Sequence, residues 1–298
     1  MENSKLQLGF GKLNITPDYP VGLSASGDGK RCRNTGIVSE VFATCLAVKF
    51  DGETYLIYTI DTISIDEPLG DIIRDEIMKQ FPEIKREHIF LGATHGHSCP
   101  ANKFDDDDVE GRYRREFISY IPQAAKLALE DVAPATMEAC KFQIPGMNFV
   151  RHYTTSAGTL FGDNVTLPNG ATITGHVAEP DTEIQMLVFK RAAEDKKDIM
   201  AVNWGCHPKL NSSGETTEGK NNRSMISADY VGGCRDYIEQ NSDYLFAFYL
   251  GAAGNLNANS KIATENVSTA CKAYSEILSK DILAAEENLT PVEGTTIK

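Results

Sequence analysis

The chain is short of cations, of paired cysteines and of long apolar runs, and each shortage excludes something. Its 298 residues carry 29 lysines and arginines against 42 aspartates and glutamates, a formal charge of −13. That balance argues against nucleic acid and anionic membrane surfaces as partners, since both need clustered cations. No apolar run reaches the ~20 residues that span a bilayer. The opening MENSKLQLGFGKLNITP lacks the basic and then apolar regions of a secretory leader. Seven cysteines, an odd number with no CxxC pair, read as free thiols in a reducing compartment. The expected location is therefore the cytoplasm. With no internal repeat and no dividing linker, residues 1–298 are expected to form a single domain.

What the chain does have is a set of β-branched, apolar runs separated by helical patterns. ETYLIYTI (53–60), HIFLGA (88–93), DIMAVNW (198–204) and DYLFAFYLGA (243–252) read as buried strands. FATCLAVKF (42–50) reads as a fifth, paired with the 53–60 run through an Asp51-Gly52 turn. Helical segments lie between them: PLGDIIRDEIMKQF, RREFISYIPQAAKLALEDV, SADYVGGCRDYIEQ and ENVSTACKAYSEILSKDILAAEEN. The alternation predicts an α/β fold, a mixed and partly parallel sheet with flanking helices. The stretch from about 144 to 183 shows little periodicity and is expected to be an irregular lid or binding loop. DDDD at 105–108 reads as a solvated loop.

Each of the four main strands runs into a polar residue suited to chemistry. The first meets Asp61, the second His95 and His97 in GATHGHSCP, the third His207 in GCHP, and the fourth Asn255 and Asn257 in GAAGNLNAN. Ligands of open α/β sheets sit outside the carboxyl ends of strands, so these side chains are expected to share one crevice. In extended backbone His95 and His97 face the same side. One could hold a metal while the other exchanges protons, or both could bond loop backbone. Arg151, in NFVRHY, is a candidate clamp for an anionic or carbonyl oxygen. Asp229, in ISADY, is expected to cap a helix and could orient a metal-bound histidine.

Taken together, GFGKLNITP, THGHSCP, NFVRHY with AEPDTEIQMLVF, AVNWGCHP followed by ISADYVGG, and LGAAGNLNAN resemble the N-terminal domain of neutral/alkaline, non-lysosomal ceramidases and their shorter bacterial relatives. The likeness runs nearly the whole chain in order, and its specific part is the His-x-His and His-Pro motifs. It implies a Zn2+-dependent hydrolase of an amide (N-acyl) bond, on a lipid or small-molecule substrate. By motif match His95 and His207 would be zinc ligands, with His97 beside the metal, bonding substrate and assisting proton transfer. Arg151 would contact the substrate; Asn257 stands where ceramidases place a substrate-contacting serine, with Asn255 nearby. Apart from the resemblance, Asp229 could act behind the ligands, and the site could be completed locally by an oxygen of Asp61 or by His97 swinging in as a third histidine. The family's remaining ligands, a glutamate and a tyrosine, lie further along than Lys298, so the resemblance implies a C-terminally shortened chain. A metallohydrolase of a small soluble substrate and a non-catalytic metal-binding domain are the competing readings.

Overall fold

The computed structural model describes residues 6–24, 33–162, 166–168, 170–211, 224–262 and 269–293. In chain order the first half contains β1 (Leu6–Asn14), β2 (Gly36–Ile37), β3 (Phe42–Phe50), β4 (Glu53–Ile60), α1 (Glu67–Gln80), β5 (Ile89–Ala93) and α2 (Val109–Glu130). The second half opens with β6 (Ala133–Gln143), β7 (Asn148–Val150), β8 (Tyr153–Thr155), β9 (Gly158–Leu160), β10 (Ile173–His176), β11 (Glu183–Arg191) and β12 (Asp198–Trp204). It closes with β13 (Met225–Ile226), α3 (Asp229–Asn241), β14 (Tyr244–Leu250), β15 (Leu256–Ala258), α4 (Ala270–Ala284) and β16 (Thr290–Pro291).

The main sheet has the order β14-β12-β11-β6-β1-β3-β4-β5, with β16 added to β6. Its two outermost pairs, β4 with β5 and β12 with β14, are parallel, and the pairs between them antiparallel. Each parallel pair is a strand-helix-strand unit, crossing over through α1 or α3. The expected mixed, partly parallel sheet is therefore present. As the turn chemistry predicts, Asp51 and Gly52 both take positive φ (51° and 85°) and join β3 to β4.

Strand alternation sorts the core into three clusters. Ala43, Cys45 and Ala47 of β3 face α1 and α2, whereas Leu46 and Val48 face the opposite way. On β12, Met200, Val202 and Trp204 face α3 and α4, whereas Ile199 and Ala201 join Leu46 and Val48. The sheet turns where β1 meets β6 through only two residue pairs, Gln7 with Pro134 and Leu8 with Ala133. Its two halves then face one another across the third cluster, giving four layers with helix pairs outside. Thr59 Oγ1 donates to the Phe248 carbonyl, and Tyr249 Oη to that of Ile57 at 3.4 Å, tying the carboxyl ends of β4 and β14 together. Strands covered on both sides are apolar at most positions, which is why they stood out in the sequence.

The GFG of β1 has a packing reason. A β-carbon on Gly9 would lie 1.9 Å from the Ala128 carbonyl oxygen, and one on Gly11 2.1 Å from that of Ala124. Bare backbone on this face lets the small-residue side of α2 close down on the strand.

The 144–183 stretch holds short strands between irregular segments: β7 pairs with β15, and β8 pairs with both β9 and β10 in a small sheet. Its strands are three or four residues long, too short to show a period. Asp229 is the first residue of α3, with φ 57°, rather than the residue at the cap position, which is Ala228. The DDDD run does contribute a cap, since Asp108 accepts from the amides of Glu110 (3.1 Å) and Gly111 (3.4 Å).

Candidate metal centre

Four strand ends meet at one place, and the histidines come to it from both halves of the sheet. His95 lies two residues past β5 in a left-handed backbone conformation, φ 65°. That costs a residue bearing a β-carbon on the order of 1–2 kcal/mol, so something must hold it. Its amide donates to Thr62 O at 2.9 Å and its Nδ1 to Ile63 O at 2.6 Å. Buried Asn102 grips the same segment through Thr62 Oγ1 (3.0 Å) and Ser64 O (3.2 Å). His207 is held similarly: its amide donates to Leu256 O (3.0 Å) and its Nδ1 to Ala253 O (3.1 Å).

A carbonyl can only accept, so Nδ1 of each ring carries the hydrogen and Nε2 keeps its lone pair. His97, with its amide on Pro208 O at 3.1 Å, places its Nε2 2.9 Å from that of His207. The three rings have centroids 4.7–5.2 Å apart, and one ligand nitrogen from each lies within 4.8 Å of the others.

The electrostatics favour the neutral form of His97 and His207. Burial pushes His97 down to about 3, helped by His207, His95, Lys209 and Arg151. His207 is also lowered, chiefly by burial, against the opposing pull of the Ala253 carbonyl. Neutral imidazole is the form that binds metal. Two lone pairs facing each other need a proton or a cation between them. A tetrahedral ion with nitrogens at ~2.0–2.1 Å sets them roughly 3.3 Å apart, against 2.9 Å between His97 and His207 and no more than 4.8 Å within the set. The donor set fits such an ion.

The other predicted residues fall around this cluster. Asp61 is fully buried, accepting from Phe42 N (2.9 Å), Thr94 Oγ1 (3.3 Å) and Arg235 Nη2 (2.8 and 3.0 Å). Arg235 thus neutralises it, and it stands behind His95, through Thr94, rather than among the converging nitrogens. Asp229 turns its carboxylate to the amides of Asn211 (2.8 Å) and Tyr230 (2.8 Å), and burial raises its pKa to about 6. Asn211 in turn donates from Nδ2 to Ser98 Oγ at 3.1 Å, so Asp229 supports the loop after His97 rather than a ring. Asn255 accepts the Arg151 amide at 2.8 Å through its backbone carbonyl, and its side chain is exposed. Asn257, buried, forms an isolated parallel bridge with His207.

A cavity of about 570 Å³ is lined by residues including Phe149, Tyr153, His176, Lys209, Lys261 and Asn257, the bridge partner of His207. His176 donates from Nδ1 to Val150 O at 2.5 Å and packs against Phe149 and Tyr153. Sequence reasoning passed over Lys209, Asn102 and Asn211. Only Lys209 carried a signal, two residues past His207.

A four-layer α/β fold with three converging imidazoles at its strand ends defines the class: an α/β protein with a candidate three-histidine metal site. No protein-family profile and no curated protein sequence matches the chain. Among solved structures it resembles neutral ceramidase from Pseudomonas aeruginosa, with TM-score 0.72, 16% identity, and coverage of 98% of this chain and 47% of that one. A ceramidase complexed with C2 is similar at TM-score 0.71 and 16% identity, over 97% of this chain and 45% of that one. The chain therefore has the ceramidase fold and spans about half the length of the structures it matches.

Proposed function

We propose that this chain is a zinc-dependent, ceramidase-like hydrolase of an amide (N-acyl) bond. The observation that carries the reading is the convergence of three imidazoles, two with their tautomer set by backbone carbonyls. His95, His97 and His207 would hold the ion, which when bound supplies a Lewis acid and a water acidic enough to ionise near neutral pH. Arg151 is close enough to depress the proton affinity of His97 and His207. A guanidinium at that range can donate to the acyl oxygen as negative charge grows on it. In the overall reaction the water oxygen bonds to the acyl carbon, the C–N bond breaks, and the amine leaves with a proton that came from water.

His97 takes a different part here from the one the family resemblance implies. A ring that resists protonation to about pH 3 is a poor proton carrier near neutrality and a good third ligand. The ceramidase likeness supports the reading through fold alone.

Metal analysis with an amidase assay tests it. We expect one zinc per chain, release of free fatty acid from N-acyl substrates, and loss of zinc in His95→Ala, His97→Ala and His207→Ala. Retention of zinc by His97→Ala with loss of rate would return His97 to the proton-carrying role. Bound zinc without turnover would make the chain a metal-binding domain, and no zinc at all would overturn the proposal.

A further inference from the structure

The two halves of the sheet enclose a second cavity, of about 600 Å³, between their facing sides. Its shape follows from strand register. β11 turns Gln185, Leu187 and Phe189 to one face; Gln185 is exposed, Leu187 38% exposed and Phe189 7%. β6 and β12 set Lys141 and Asn203 beside Gln185, Ala139 and Ala201 beside Leu187, and Met137 and Ile199 beside Phe189. Leu46, Val48 and Ile57 of the other half stand opposite. The wall therefore has a polar lip, a middle row kept low by two alanines, and an apolar floor. From lip to floor is four residues of strand, about 13 Å.

The polar groups at the lip are already engaged. Asn203 Nδ2 donates to the Tyr249 carbonyl at 3.0 Å, Gln185 Nε2 to Glu183 Oε1 at 3.1 Å, and Thr290 Oγ1 to the Ala139 carbonyl at 3.2 Å. Lys141 pairs with Glu183 at 3.1 Å. β11 and β12 each have a strand on both sides, so the wall offers no open edge. A peptide entering here would bring amide and carbonyl groups that find no partner, each at a cost. A hydrocarbon brings none. The space is about four times the ~150 Å³ that takes up benzene. We propose that it binds one linear alkyl or acyl chain of about eight to twelve carbons, the length its depth allows, entered tail first with a polar head left at the lip. Its described lining contains no histidine, so the site is separate from the metal centre and does not rest on the amide-hydrolase reading.

Calorimetric titration of the purified chain with hexanoate, octanoate and decanoate, below their micelle concentrations, tests it. Affinity is expected to rise about threefold to fourfold with each methylene and to be unchanged by a zinc chelator. Ala139→Phe, which fills the middle row, should weaken decanoate by about tenfold or more. Decanoate should raise the Tm of the wild type and not of the variant. If Ala139→Phe does not fold, Leu187→Asn, at a partly exposed position, makes the same test by putting an amide into the wall. Decanoate against monodecanoylglycerol separates a free acid from a lipid-borne chain, and the tighter of the two names the source. Affinity indifferent to chain length overturns the proposal, as does decanoate binding that the folded variant leaves intact. Binding abolished by the chelator puts the chain at the histidines and also overturns it. A dimer in sedimentation that Leu187→Asn dissociates, with no decanoate bound, gives the cavity to a second copy instead.

Discussion

Replacing Arg235 with methionine asks how the candidate site is held together. Arg235 and Asp61 pair at 2.8 Å with side-chain exposures of 5% and 0%. The pair ties α3 to the end of β4, one from each half of the sheet. Removing one partner of a buried pair costs about 3–5 kcal/mol, because the other charge stays buried without compensation. Asp61 keeps its bonds from the Phe42 amide and the Thr94 hydroxyl, which argues for the low end, about 3 kcal/mol. At ~2 cal/mol/K per residue, unfolding a chain of this length carries an entropy near 0.6 kcal/mol/K, so Arg235→Met should lower Tm by about 5 °C. Thr94 precedes His95, so the loss should also reach the metal, weakening zinc binding on the order of tenfold to a hundredfold. Calorimetry and competition with a zinc chelator measure the two effects. Neutralising the orphaned carboxylate as well, in Asp61→Asn/Arg235→Met, should recover most of the stability. A Tm loss under about 2 °C with unchanged zinc affinity would refute the assignment of this pair as the brace of the site.

Gly9→Ala should destabilise the fold by roughly 1–3 kcal/mol through overpacking, since the added carbon meets a backbone carbonyl of α2 rather than a side chain that can swing away; urea midpoints check it. The metal-free protein should lose stability as pH falls from about 6.5 toward 3. Over that range the unfolded chain protonates His97, while the folded chain refuses the proton until about pH 3. His97→Phe should flatten that part of the profile. Asp229 works with the opposite sign: its raised pKa of about 6 adds stability at low pH that is lost as pH rises through 6, so Asp229→Asn should steepen the acid loss. Asn102→Ala should weaken zinc retention without touching a ligand, because it frees the segment that accepts both bonds from His95; a chelator titration that matches wild type would remove it from the site.

The strands at 42–50, 53–60 and 198–204 were legible residue for residue, because strands buried on both faces are apolar at most positions. By contrast β1, β6 and β11 went unread as strands. LQLGFGKLN spends two positions on glycine to admit α2, and APATMEACKFQ exposes alternate residues near the sheet junction. Neither leaves a continuous apolar run. The histidines were legible for a different reason, since each sits just past a strand and the carboxyl ends of strands in an α/β sheet converge. Their supports were not. Asn102, Asn211 and Arg235 act across separations of 38 residues or more, through bonds to Ser64, Ser98 and Asp61. No local pattern announces such a contact.

Chain order and side-chain type were enough to establish an α/β architecture and to nominate His95, His97 and His207, because both follow from periodicity and from what lies next to a strand end. Tertiary structure alone decided that the sheet turns at β1–β6, facing its halves together so that imidazoles 110 residues apart come within 2.9 Å. It likewise decided that Asp61 is spent on Arg235. These depend on which faces are buried against each other, a property of the packed chain and not of any segment within it.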